Sequence, residues 1–242
     1  MSYCRRARPM LGTLVEISVD ACAPEGCLDQ AFAALADVQA ALSRFDDRSD
    51  ITRFAMLPAG KALTVREDTA AVLQLAAALH QESDGLFDIT LGSGPEAWSI
   101  VGRVLRKHRS GVTFDLGGIG KGHAVDRAVS SLQAHGVQAG WVNAGGDLRV
   151  FGEAELPVAV RDEALGGARP FIALRDGALA TSRYAVGSRC HLSSRLPGEV
   201  SAHCSVAAPQ CVWADALTKV VALSGDLRHP LLERQGAHAW WH

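Results

Sequence analysis

The sequence of 242 residues sets 24 Lys and Arg against 26 Asp and Glu, a formal charge of −2, and 48% of it is hydrophobic. That apolar share supplies a buried core and excludes a disordered chain, while 24 Gly and 9 Pro interrupt every long periodic run and exclude a coiled coil. With no excess of positive charge, nucleic acid and anionic membrane surfaces are not expected as partners, and no stretch reaches the ~18–20 uncharged apolar residues of a bilayer-spanning helix.

The first ten residues hold three arginines and no apolar h-region, so no secretory signal is read and a cytoplasmic globular protein is expected. Residues 11–19, LGTLVEISV, alternate apolar and polar and predict a strand. Leu28, Phe32, Leu35, Val38 and Leu42 recur at steps of three and four and predict a helix over 28–44; RFDDRSD at 44–50 reads as a loop. A second, largely buried helix is expected over 67–83, stopped by Asp84-Gly85. The basic cluster RVLRKHR at 103–109 reads as a solvated turn. A short strand, a glycine turn and a helix over 121–135 follow, then a strand, a second glycine turn and a further strand from VQAGWVNAGGDLRVFG. Three short strands are expected within 156–183, an exposed loop over 184–204, a strand at CSVAAP, helices over 213–223 and 227–235, and a last strand at AHAWWH. One α+β domain spanning 1–242, with mixed β-sheets and packed helices, fits this order.

Six cysteines (Cys4, Cys22, Cys27, Cys190, Cys204 and Cys211) form no CxxC pair and are expected as reduced thiols. Segment 190–211 gathers Cys190, His191, His203, Cys204 and Cys211, but the spacing matches no common zinc module, so packing is favoured over structural zinc.

Three motifs carry candidate chemistry. In Asp115-Leu116-Gly117-Gly118-Ile119-Gly120-Lys121-Gly122, four glycines allow positive φ and close approach to a ligand. Lying ahead of a helix, they offer amide groups to an anion, with Lys121 as a point charge; a tight structural turn is the competing reading. Neither the GxxxxGK[ST] loop nor GxGxxG is present. Asn143-Ala144-Gly145-Gly146-Asp147 reads as ordinary hairpin chemistry. In Trp213-Ala214-Asp215-Ala216-Leu217-Thr218-Lys219, Thr218 and Lys219 share a helical face with Asp215, so the carboxylate is either a helix-start partner or part of a hard-cation site with ligand phosphate.

The order of these blocks resembles the ApbE family of FAD:protein FMN transferases. The matching segments are LGT (11–13), SRFDDRSDITRF (43–54), DGLFDITLG (84–92), DLGGIGKGHAVDR (115–127), NAGGDLRVFG (143–152), ALATSRY (178–184), His191 to Gly198, and SVAAPQCVWADALTKVVALSG (205–225). The resemblance implies a bilobed α+β fold with FAD in a cleft and Mg²⁺ on its pyrophosphate. A Thr or Ser hydroxyl of an acceptor flavoprotein attacks the FMN-side phosphorus, AMP leaves, and FMN stays attached through a phosphoester. Phosphoryl transfer of this kind depends on positioning and charge neutralisation. Carried over by the resemblance, Leu86, Phe87, Asp88, Asp115, Lys121 and Leu192 are expected to contact the cofactor. Gly118 (through its carbonyl), Asp215 and Thr218 are expected to hold the metal, and His191 to act as general base.

Four positions depart from the family pattern. Ser194-Arg195 replaces the Asp-Pro that follows the histidine, Lys219 stands where the metal-binding Thr usually falls, and Ala55 replaces an Asn. These departures open two alternatives to transfer: a protein that binds FAD without transferring it, and hydrolysis of FAD to FMN and AMP.

Overall fold

Alternating apolar residues Val15, Ile17 and Val19 turn one face of strand β2 (Thr13–Asp20) into the core. A computed structural model describes residues 3–161, 166–184 and 202–242. β2 lies second in a seven-stranded sheet ordered β1 (Tyr3–Met10), β2, β6 (Gly140–Ala144), β7 (Asp147–Arg161), β8 (Ala168–Tyr184), β9 (Ala202–Ala208) and β10 (His238–Trp241). A second sheet has the order β3 (Ala62–Thr64), β5 (Val104–Lys107), β4 (Trp98–Val101). The α+β class stands, but every described strand pair is antiparallel, where mixed sheets were expected. The physical reason lies in the connections. Most neighbours are joined directly, and the long excursion between β2 and β6 returns antiparallel rather than as a βαβ crossover.

That excursion carries four helices: α1 (Cys27–Leu42), α2 (Asp50–Met56), α3 (Glu67–Glu82) and α4 (Gly120–Ala134). With α5 (Cys211–Ser224) they share one continuous core with β2 and with the inward side chains of β6 and β8. The opposite sheet face holds a smaller cluster around Leu148, Val150, Leu174 and Leu179, flanked by Trp141 and Trp240. Helix α6 (Pro230–Arg234) precedes the last strand.

Several elements differ from the sequence reading. β1 gave no apolar alternation because its side chains are almost all exposed; Arg6 and Arg8 reach Asp29 and Arg5 pairs with Glu16 instead. α2 begins inside the expected loop, where the Ser49 hydroxyl accepts the Thr52 N–H at 3.0 Å. The three strands expected over 156–183 are the ends of two long ones, β7 and β8, whose pairing shifts register between Val150 and Glu155. No strand forms at 113–116. The basic cluster at 103–109 is not a solvated turn: Lys107 in β5 is 1% exposed and donates to the carbonyls of Phe54 and Ala55 at 3.2 and 2.7 Å. It thereby adds a donor at the end of α2, where the Phe54 carbonyl already accepts the Leu57 N–H at 3.0 Å.

Candidate active site

The glycine turn before α4 is dense for a reason other than the one expected. None of Gly117, Gly118, Gly120 and Gly122 has a positive φ. Close approach is what requires Gly122, where a Cβ would lie 2.4 Å from the Cys211 carbonyl oxygen; one on Gly118 would meet the Lys219 side chain at 2.8 Å, and one on Gly120 only ordinary contacts. Helices α4 and α5 therefore meet backbone to backbone at Gly122. One turn further along α4, the Asp126 carboxylate accepts the N–H groups of Cys211 and Val212 at 3.0 and 2.8 Å and pairs with Arg149 at 2.7 Å. α5 has no side-chain cap of its own, so α4 supplies it.

This clamp aims Asp215 and Lys219 at the glycine turn, with Thr218 between them and β8. Asp215 is 1% exposed; its Oδ2 accepts the Gly122 N–H at 3.2 Å and its Oδ1 faces Lys219 Nζ at 3.5 Å. Part of the anion-binding capacity expected at the start of α4 is thus already taken by a protein carboxylate. The buried Thr218 hydroxyl donates to the Asp215 backbone carbonyl at 2.7 Å. With its proton committed there, it accepts from Ser182 at 2.9 Å and from Lys219 Nζ at 3.0 Å, while Lys219 also donates to Ser182 Oγ at 2.5 Å. Tyr184 closes the far side by donating to the Thr218 carbonyl at 2.7 Å.

Beside this network, Lys121 pairs with Asp147 of the β6–β7 hairpin. The hairpin itself is as read from the sequence: Gly145 and Gly146 have φ of 66° and 102°, and the Gly146 N–H reaches Asn143 Oδ1 at 2.9 Å. Burial, then the charge of Asp215, pushes the Asp147 carboxyl up to about 6 despite Lys121. Burial pulls the Lys121 ammonium down, but Asp147 and Asp215 together outweigh it and the net shift is upward. At neutral pH the pair is therefore charged on both sides.

These groups border a cavity of about 950 Å³, at the upper end of the size range of ligand pockets. Leu86, Phe87, Asp88, Asp115, Gly118 and Lys121 all line it, as do Lys219 and Ser182. Two of its carboxylates have local structural work: Asp88 accepts from Thr90 N and Gly92 N at 2.8 and 3.0 Å, and Asp115 accepts from Gly117 N at 2.8 Å. Asp215 and Thr218 sit behind the wall rather than on it. His191 and Leu192 lie outside the described residues, as does Cys190, and no cluster of metal-ligating side chains is found among the described ones.

The ApbE family profile matches residues 11–104 and 98–240. This chain belongs to the ApbE family. It is 32% identical to the FAD:protein FMN transferase of Rhodobacter capsulatus, over 53% of this chain and 31% of that protein. It is 23% identical to the FAD:protein FMN transferase of Treponema pallidum (strain Nichols), over 73% of this chain and 63% of that one. The chain thus spans less than two thirds of either relative. The flavin transferase ApbE from Vibrio cholerae has the same fold, with a TM-score of 0.85 at 22% identity, covering 99% of this chain and 93% of that one.

In this ApbE-family chain the motifs located most of the cavity wall, and four further residues came only with the fold. Asp126 and Arg149 stand in the matching AVDR and DLRVFG blocks but act by clamping α5 across the chain. Ser182, from ALATSRY, and Asp147, assigned only to a hairpin, are the immediate partners of the two site lysines. Their presence inside matching blocks was the available signal.

Proposed function

We propose that this chain, acting as a single unit over 1–242, transfers FMN from FAD to a Thr or Ser hydroxyl of an acceptor flavoprotein, with release of AMP. The observation that carries this reading is the large cavity with an apolar floor, including Phe87 and Leu116, and a cationic wall of Lys121 and Lys219 beside the glycine turn. Such a wall suits a dinucleotide whose middle is a pyrophosphate. The two ammonium groups neutralise charge where it grows on the phosphoryl oxygens, which is the main demand of phosphoryl transfer. In the reaction, the acceptor oxygen forms a bond to the FMN-side phosphorus. The bond from that phosphorus to the bridging oxygen breaks, and its electron pair leaves with AMP. The proton of the attacking hydroxyl is assigned to His191. No helix among the described residues is long and apolar enough to cross a membrane; a cytoplasmic location for this chain belongs to the proposal.

Mg²⁺, which the resemblance implies, does not fit the donor set as built. Asp215 is engaged by Gly122 N–H and Lys219, Thr218 by a backbone carbonyl and Lys219, and the Lys219 stem lies over Gly118. A divalent cation placed there would meet an ammonium, so no step above passes through a metal.

The test is intact-mass spectrometry of an acceptor flavoprotein domain after incubation with FAD and this protein, with AMP assayed in parallel. An FMN adduct with stoichiometric AMP supports transfer. AMP without an adduct would replace transfer by hydrolysis, and bound, intact FAD across a panel of acceptors would replace it by carriage. His191→Ala should leave FAD affinity unchanged and abolish the adduct; a parallel loss of affinity would make His191 a binding contact.

A further inference from the structure

Two carboxylates and two ammonium groups of the site are layered. Asp215 and Asp147 have side chains 2% and 3% exposed, whereas Lys219 and Lys121, at 12% and 34%, line the cavity. These two carboxylates therefore back the two lysines from within, while Asp88 and Asp115 line the same cavity with oxygens engaged by backbone N–H groups. Lys219 is fixed in that surface by hydrogen bonds to Ser182 and Thr218 and by the Asp215 carboxylate one helical turn before it. Its aliphatic stem occupies the space over Gly118 that a Cβ would need. An ammonium so held loses little conformational freedom when it meets an anion, and its own charge does there what a bound cation would do.

We propose that Lys219 is the resident cation of the phosphate subsite, so that the chain binds the FAD pyrophosphate without a divalent metal. This rests on the FAD reading above and deepens it. Ser182 and Thr218 are positioning residues for the ammonium, and Asp215 is its counter-ion. Lys121, held by Asp147, supplies a second positive charge on the same wall.

The experiment is a titration of the full chain with FAD, followed by flavin fluorescence, in EDTA and again with excess Mg²⁺. The Kd is expected to agree within about twofold between the two, and Lys219→Met to weaken binding by about tenfold or more while Lys219→Arg retains most of it. The comparison on the unaltered protein needs no variant, so poor folding of Lys219→Met leaves it intact. A loss of about tenfold or more in EDTA, or a folded Lys219→Met that binds as well as the parent, would overturn the proposal. Inorganic pyrophosphate, titrated calorimetrically in EDTA, separates this proposal from the flavin reading. Pyrophosphate binding that depends on Lys219, without FAD binding under any condition, would sustain the cationic subsite and sink the FAD reading. FAD binding only with Mg²⁺, and no pyrophosphate binding in EDTA, would do the reverse.

Discussion

Replacing Asp126 by Ala removes a carboxylate that holds two helices together without touching any ligand. Its oxygens accept two N–H groups at the start of α5 and the Arg149 guanidinium, and its side chain is only 14% exposed. Loss of a helix cap costs about 1 kcal/mol, and a second buried donor left unsatisfied adds about another. Arg149, 19% exposed, then loses its charge partner, at a cost of about 1 kcal/mol after discounting for its access to water. The sum, about 3 kcal/mol, is a large part of the ~5–15 kcal/mol by which folded domains are stable. In urea, with a slope of about 3 kcal/mol/M, the midpoint should fall by about 1 M. Asp126→Asn keeps an acceptor oxygen and the shape, and should fall by roughly half as much. Equilibrium unfolding followed by far-UV circular dichroism measures both. A midpoint for Asp126→Ala within about 0.2 M of the parent would refute the clamp as the anchor of α5.

Gly122→Ala places a methyl against the Cys211 and Val212 backbones, which cannot yield as a side chain can, and should destabilise by about 1–3 kcal/mol while also weakening FAD binding; unchanged thermal unfolding would contradict the close helix contact. Among the described cysteines, Cys4 and Cys22 are exposed and should react with a maleimide in the native state, whereas Cys27, Cys204 and Cys211 should react only on unfolding. Burial pushes the Cys204 thiol up to about 12, so raising the pH to 9 should not expose it to the reagent; peptide mapping of the labelled sites decides. Asp147 is raised from 3.8 to about 6, so the native state holds a proton there that the unfolded chain has already lost. Its contribution to stability is full below pH 3.8 and is lost as pH rises through about 6. Asp147→Asn should remove that part of the pH dependence, and an unaltered stability profile between pH 4 and 7 would count against the assignment.

What the sequence showed and what it hid divide along physical lines. Helices α1, α3 and α4 were legible because each buries a face whose apolar residues recur at helical spacing, α5 as an apolar run buried on nearly every side, and β2 because Val15, Ile17 and Val19 alternate. β1 was hidden because its side chains are solvated, and Lys107 because a lysine in a basic run gives no sign that two helix-end carbonyls await it. In the site, spacing alone placed Asp215, Thr218 and Lys219 on one face, since it is a property of the helix. The partnerships that define the chemistry join residues far apart in the chain: Lys219 with Ser182, Lys121 with Asp147, and Asp126 with the start of α5. Local pattern carries no record of such contacts. The glycine turn was recognised and its cause misread: the need was for close packing of two helices, which no single segment displays.

The most direct test of the cavity as an FAD site is a crystal structure of the full chain grown with FAD in the presence of EDTA. The account predicts the pyrophosphate within hydrogen-bond distance of Lys219 Nζ, with the flavin and adenine filling the cavity bordered by Phe87 and the glycine turn. A flavin bound elsewhere, or a pyrophosphate in this cavity out of reach of Lys219, would contradict it.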